Sequence, residues 1–137
     1  NIFKEQVPKK IIADGAFKKK DRAPYLGILH LDCTFNPIGK DKCIIYKNGF
    51  VDESDYHLIL DIFGEENCFH VTDEEMFEMY PNIFSISPEI VVSDQAFTRM
   101  NNHLRNEWGM TVEEIPYREI SKMGGLLRCS TLPLVRE

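Results

Sequence analysis

The sequence predicts an α/β protein built from a repeated strand–strand–helix–strand unit. Three observations predict it: runs with the period of two that is typical of strands, apolar stripes with helical spacing between those runs, and the same element order at roughly 26–71 and 82–115. The two copies share no residue-level repeat. Because repetition of one supersecondary unit favours radial or solenoid stacking, we expect that arrangement, with a plain α+β sandwich as the alternative.

The first 25 residues are basic and contain two prolines and little hydrophobic periodicity. We interpret 1–25 as a basic linker or the end of a preceding unit, and 26–137 as the folded domain. A solvated face is the simplest explanation of the lysines, and a phosphate-binding patch is the alternative.

The first unit begins with a predicted strand over 26–35, in which His30 and Asp32 share one face above an apolar underside. Turn residues then lead to a partner strand over 42–46. Ser54 is the predicted N-cap of a helix that runs to about Phe63, where Gly64 stops it. A short strand over 67–71 completes the unit.

The second unit follows an acidic helical turn that begins at Thr72. We predict strands over 82–87 and 89–93, and then a long helix over 95–108 that is capped by Ser93 or Asp94. A strand over 110–115 completes the unit. After it we expect a short helix over 117–123 and a final strand over 126–131.

Composition excludes several classes of function. The chain has 137 residues, the size of one domain, and its net charge of −6 disfavours a nucleic-acid partner. No apolar run is long enough to span a membrane, and no signal-peptide pattern opens the chain, so we expect a cytoplasmic protein. It begins with Asn1 rather than methionine, which fits a processed product or a fragment. The four cysteines lack metal-ligand spacing, which favours reduced thiols and no metal or other cofactor: Cys33, Cys43, Cys68 and Cys129.

The candidate site combines two distant stretches. Cys129 follows Gly124-Gly125 and lies beside Arg128, whose charge favours the nucleophilic thiolate. A cysteine with a histidine elsewhere in the chain is a candidate nucleophile–base pair, and His30 is our candidate base. Asp32 would orient the imidazole or bind a cationic, guanidine-like group. The alternatives are a buried structural cysteine and a simple His30–Asp32 hydrogen bond.

Three segments carry a resemblance to a known superfamily. Residues 30–39, HLDCTFNPIG, resemble the His-x-Asp strand of the guanidino-group-modifying enzymes, which include glycine amidinotransferase, arginine deiminase and dimethylargininase. Residues 124–136, GGLLRCSTLPLVR, resemble their terminal Gly-Gly-x-x-(Arg/His)-Cys segment. Residues 82–94 resemble the amidinotransferase branch. The likeness covers 26–136, about the C-terminal half of such an enzyme, so it implies that 26–137 is the C-terminal half of an amidinotransferase-like catalytic domain.

The resemblance implies a five-bladed α/β propeller (pentein) of ββαβ units, here a partial propeller with about half the blades. It also implies that Cys129 attacks the guanidinium carbon, that His30 protonates the departing amine, and that a thiouronium intermediate forms on Cys129. His30 would then deprotonate the acceptor. Asp32 and Arg128 would bind the substrate, an arginine-like guanidine, and no metal is needed.

The resemblance leaves the reaction open. Transfer to an amine makes an amidinotransferase, our first expectation; transfer to water makes a hydrolase of the arginine deiminase or dimethylargininase type. A non-catalytic guanidine-binding or partner-binding relative is the third alternative. The acidic segment that such enzymes carry in their N-terminal half has no counterpart here, since 13–16 is a poor match. We therefore expect a missing N-terminal half or a homo-oligomer partner, and an isolated chain with little activity.

Overall fold

The computed structural model describes residues 31–121, 125–132 and 134. The helices and strands follow in this order: β1 Phe35–Ile38, β2 Lys42–Ile45, α1 Glu53–Phe63, β3 Cys68–His70, α2 Asp73–Phe77, β4 Phe84–Ser85, β5 Ile90–Asp94, α3 Thr98–Asn106, β6 Thr111–Ile115 and α4 Arg118–Ser121. Short 3₁₀ turns occupy Leu31–Cys33, Lys47–Gly49 and Glu65–Asn67. The predicted linker and the predicted boundary at residue 25 lie outside the described residues.

The strands form two three-stranded sheets with the same topology, β1-β2-β3 and β4-β5-β6. In each sheet the first pair is an antiparallel hairpin and the second pair is parallel. A parallel pair needs a crossover connection, which α1 supplies in the first unit (35–70) and α3 in the second (84–115). The predicted α/β class and the repeated strand–strand–helix–strand order are therefore confirmed.

One apolar core joins the two units. The face of the first sheet that carries Ile44 and Phe69 packs with Val91 of the second sheet and with Met100 and Leu104 of α3. The opposite face of the first sheet packs with Tyr56 and Ile59 of α1 in a second cluster. Because strand residues alternate between faces, the period of two in the sequence supplies both apolar layers.

The ends of α1 show one wrong prediction and one confirmed prediction. Asp52, not Ser54, is the N-cap: its Oδ1 accepts the Ser54 backbone N–H at 2.9 Å. The Ser54 hydroxyl donates to the same carboxylate at 2.8 Å, so it serves the cap instead of forming it. Gly64 ends the helix at φ +83°, a region that glycine tolerates.

The predicted start of α3 is also wrong, since the helix begins at Thr98 and neither Ser93 nor Asp94 caps it. The buried Asp94 accepts the N–H groups of Ala96 and Tyr117, each at 2.8 Å. Its carboxylate therefore holds a turn and the chain after β6, and the helix starts later.

Two predicted strands are absent from the described residues. Leu31–Cys33 is a 3₁₀ turn, so Asp32 does not lie in a strand, and β1 starts only at Phe35. Residues 126–131 form a turn in which the Ser130 N–H donates to the Leu126 carbonyl at 3.1 Å. Within the described part of the chain, no helix has the length and apolarity needed to cross a membrane.

Candidate active site

Cys129 lies in an exposed turn that is anchored in the main core. The preceding Leu126 and Leu127 are both buried, whereas Cys129 is exposed. The segment is a turn, in which the Ser130 backbone N–H also donates to the Leu127 carbonyl at 3.2 Å. The core therefore fixes the backbone directly before the thiol and leaves the sulfur accessible.

Asn82, which is fully buried, makes most of the polar contacts to this turn. Its side-chain Oδ1 accepts the backbone N–H groups of Leu126 at 3.0 Å and Cys129 at 3.2 Å. Its Nδ2 donates to the Cys129 sulfur at 3.2 Å, and its backbone carbonyl accepts the Arg128 N–H at 3.2 Å. An amide suits this position because it both donates and accepts.

Position 125 has no room for a side chain, so glycine is required there. A Cβ atom at this position would lie 2.9 Å from the Cβ of Cys129, closer than carbon atoms pack. Gly124, the other glycine of the pair, lies outside the described residues.

The two predicted stretches meet at Asp32 and Cys129. Both carboxylate oxygens of the half-buried Asp32 lie 4.0 Å from the Cys129 sulfur, across 97 positions of sequence. The other predicted partner, His30, lies outside the described residues, so its contact with Cys129 stays a prediction.

A cavity of about 420 Å³ opens beside Asp32, between the two units. Arg128 also lines it, so one acidic and one basic residue border the cavity. Ser85 also lines the cavity, and its buried hydroxyl has no hydrogen-bond partner among the described residues. The remaining lining comes from Leu31, Phe35, Asn36 and Pro37.

Three side chains at the site are close enough to share a metal ion. Asp32, Cys33 and Cys129 each offer a ligand atom within 4.8 Å of the others. Two thiols and one carboxylate suit a thiophilic divalent cation, although a structural zinc site normally has four protein ligands.

The other two cysteines lie in the first sheet, away from this site. Cys43 and Cys68 are register partners on β2 and β3, with their sulfur atoms 3.4 Å apart. Burial raises the pKa of the Cys43 thiol, and its hydrogen bond with Cys68 raises that pKa further. These thiols therefore stay protonated and unreactive in the folded protein.

Sequence reasoning missed Asn82 and Ser85. Asn82 lies in the segment whose likeness to amidinotransferases was noted, but nothing local shows that its amide reaches a turn 47 positions away. The sequence signal that was available is the position of a polar residue directly before the apolar Ile83 and Phe84. A polar residue is unusual at a buried position.

Comparison with known proteins supports the resemblance. The model of the family described as N,N dimethylarginine dimethylhydrolase, eukaryotic, matches residues 3–136. The uncharacterized protein YkgA of Bacillus subtilis (strain 168) is 31% identical over 109 residues, which are 79% of this chain and 36% of that protein. This chain thus spans about a third of that relative's length.

Solved structures show the same fold. The N-terminal domain of ArgZ, an arginine dihydrolase from the ornithine–ammonia cycle in cyanobacteria, superposes with a TM-score of 0.71 at 24% identity, over 80% of this chain and 39% of that one. A mutant of AgrE in complex with L-arginine superposes with a TM-score of 0.68 at 24% identity, over 78% of this chain and 16% of that one. SxtG, an amidinotransferase from Microseira wollei, superposes with a TM-score of 0.62 at 19% identity, over 80% of this chain and 32% of that one. Since the family model matches nearly every residue, the chain belongs to the N,N-dimethylarginine dimethylhydrolase family of the guanidino-group-modifying enzymes.

Proposed function

We propose that this chain supplies the cysteine-bearing part of an active site that breaks one carbon–nitrogen bond of an arginine-like guanidine by attack on its amidino carbon. The observation that carries the proposal is the Asp32 carboxylate, 4.0 Å from the Cys129 sulfur at the edge of a cavity. A carboxylate binds a planar guanidinium through two hydrogen bonds. The sulfur would then lie within reach of the guanidinium carbon.

The proposed reaction uses Cys129 as the nucleophile and His30 as the acid and base. The Cys129 thiolate attacks the guanidinium carbon and forms a carbon–sulfur bond. The carbon–nitrogen bond then breaks as His30 delivers a proton to the departing amine, which leaves a thiouronium on Cys129. His30 next takes a proton from the acceptor, and the acceptor displaces the thiolate. Asp32 holds the guanidinium throughout, and Arg128 binds the carboxylate of the substrate.

Membership of a dimethylhydrolase family favours water as the acceptor. This reverses the order of our sequence-based expectation, in which the amidinotransferase came first. The likeness to SxtG concerns the fold alone, so transfer to an amine is kept as an outcome of the experiment.

We further propose that the two units belong to a five-bladed propeller. Two units of five would be two fifths of such a domain, close to the 39% of the ArgZ domain that this chain covers. The other units would come from residues outside the described chain or from a partner, and would bring the remaining substrate-binding groups.

The test incubates the full-length protein with arginine or dimethylarginine, with and without glycine, and identifies the products by mass spectrometry. Citrulline formed without glycine supports the hydrolase, whereas guanidinated glycine supports the transferase. A thiouronium adduct on Cys129 supports the nucleophile. Turnover that persists in Cys129→Ala would exclude this mechanism, and no turnover of any guanidine would favour a binding function.

Asp32→Asn tests the carboxylate at constant size. Loss of a charge-assisted hydrogen-bonded pair, worth about 1.5–3 kcal/mol, should lower kcat/KM by roughly 10- to 100-fold. Asp61→Asn on the exposed side of α1 is the matched control and should leave kcat/KM unchanged.

A further inference from the structure

We propose that Asn82 is a positioning residue for the Cys129 nucleophile, which fixes the direction of the sulfur and stabilises its charged form. The catalytic consequence rests on the proposed function, but the effect on the thiol does not. Asn82 carries out this role from a fully buried position in the segment before β4.

The contacts determine how the amide is oriented. Oδ1 accepts two backbone N–H groups, those of Leu126 and Cys129, which uses both of its lone pairs. The reverse orientation would turn the NH₂ group toward two N–H donors and lose both bonds. The side-chain NH₂ must therefore face the Cys129 sulfur, to which it donates at 3.2 Å.

The same geometry has an electrostatic consequence. A thiolate is a much stronger hydrogen-bond acceptor than a thiol, because bonds to an ionised partner are roughly twice as strong as neutral ones. A fixed N–H donor that points at the sulfur thus favours the nucleophilic form. Within the described residues, the titratable groups that lie close to this sulfur are Asp32 and Cys33, and Arg128 is its neighbour in the sequence. Asp32 opposes the thiolate in the absence of a cationic ligand, which makes the Asn82 donor more important.

The segment that carries Asn82 is itself held in place. The Asn36 side chain donates to the carbonyl groups of Pro81 and Ile83, at 2.7 and 3.0 Å, on either side of Asn82. The amide is therefore already oriented before a substrate binds, and no reorganisation is needed when the thiolate forms.

Asn82→Asp is the decisive variant. It keeps an oxygen for the two backbone N–H groups but replaces the N–H donor with a second carboxylate oxygen beside the sulfur. The rate of Cys129 alkylation by iodoacetamide is measured against pH on the full chain, with the modified cysteine identified by mass spectrometry. We expect the midpoint of the pH profile to move upward by about one unit, with a roughly tenfold lower rate at pH 7.

Asn101→Asp is the matched control. Asn101 is an equally buried amide whose NH₂ donates to the Asp94 carbonyl at 2.9 Å, in the same unit. Its substitution also removes one buried donor, but it should leave the Cys129 profile unmoved. Asn82→Ser removes the donor without adding charge and should move the profile in the same direction, which keeps the test available if Asn82→Asp does not fold.

Equal midpoints in wild type, Asn82→Asp and Asn82→Ser would overturn the proposal and leave Asn82 with a structural role. In the turnover assay, the positioning role predicts that Asn82→Asp lowers kcat at least tenfold with KM changed less than about threefold. If the wild type turns over no guanidine, the proposed function fails, whereas the alkylation profile still decides the role of Asn82.

Discussion

The side-chain amide of Asn36 bridges the two carbonyl groups that flank Asn82, those of Pro81 at 2.7 Å and Ile83 at 3.0 Å. Asn36 belongs to β1 of the first unit, and Asn82 holds the turn that carries Cys129. The same first unit brings in Asp32, directly before β1. The two units are thus joined at the point where the carboxylate and the thiol meet.

Asn36→Leu should destabilise the protein by at least about 2 kcal/mol in the free energy of unfolding. The substitution keeps the size of a side chain that is only 7% exposed, but it leaves two carbonyl groups without their donor, each at a cost of about 1–3 kcal/mol. Urea denaturation measures the change. Asn102→Leu on the exposed side of α3 is the control, and an equal stability for the two variants would show that the bridge contributes nothing.

Gly125→Ala should displace the Cys129 turn and lower turnover by at least tenfold. The new Cβ would lie 2.9 Å from the Cys129 Cβ, and a displacement near 1 Å at reacting atoms costs about 100-fold in rate. Gly109→Ala gives the contrast, since that glycine has φ +65° and open space around it. It should cost about 1–2 kcal/mol of stability through the backbone alone and leave Cys129 alkylation unchanged.

Cys129 should react with iodoacetamide at least about 100-fold faster than the three other cysteines, because reaction requires an accessible thiolate. Cys33, Cys43 and Cys68 are at most 6% exposed, and burial raises the pKa values of Cys43 and Cys68. Peptide mapping after timed labelling gives the four rates. In urea the rates should converge, and rapid labelling of Cys43 or Cys68 without urea would contradict the buried positions.

His103 should make the protein less stable as the pH falls below about 6.5. Burial lowers the pKa of this imidazole, and the nearby Arg99 lowers it further against the opposing effect of Glu107. The unfolded state, with the ordinary pKa near 6.5, then binds more protons than the folded state, so stability is full above that pH and declines toward the lower folded pKa.

Urea denaturation between pH 5 and 8 measures this dependence. His103→Gln should flatten the profile in that window relative to wild type. His57→Gln, at an exposed position on α1, should leave it unchanged. A wild-type profile that His103→Gln does not alter would mean that the imidazole protonates freely in the folded state.

The sequence predicted the elements whose signals are local. Strand β2, the stop of α1 at Gly64 and the repeated unit order follow from turn residues and periodicity. The first strand of the hairpin was predicted wrongly, because β1 lies mostly in the stretch whose residues predict a turn. The caps were harder, because two neighbouring residues are often equally good candidates. The N-cap of α1 is Asp52, two residues before the predicted Ser54. The Asp94 carboxylate accepts the Tyr117 backbone N–H and does not cap α3.

Only part of the site could be predicted from the sequence. The two predicted stretches do lie close together at Asp32 and Cys129, although both residues lie in turns where the sequence predicts strands. Alternation was the wrong pattern for Leu126-Leu127, where tertiary packing buries consecutive side chains. The contact of Asn82 with Cys129 depends on the docking of two distant segments, for which a single sequence carries no local signal.

Leu126 and Leu127 belong to the core that both units share, and the thiol follows two residues later. The turn therefore cannot detach without opening that core, and the core cannot open without releasing the turn. Loss of function on heating and loss of tertiary structure should then be one event, so that the activity remaining after a heat pulse counts the molecules that are still folded.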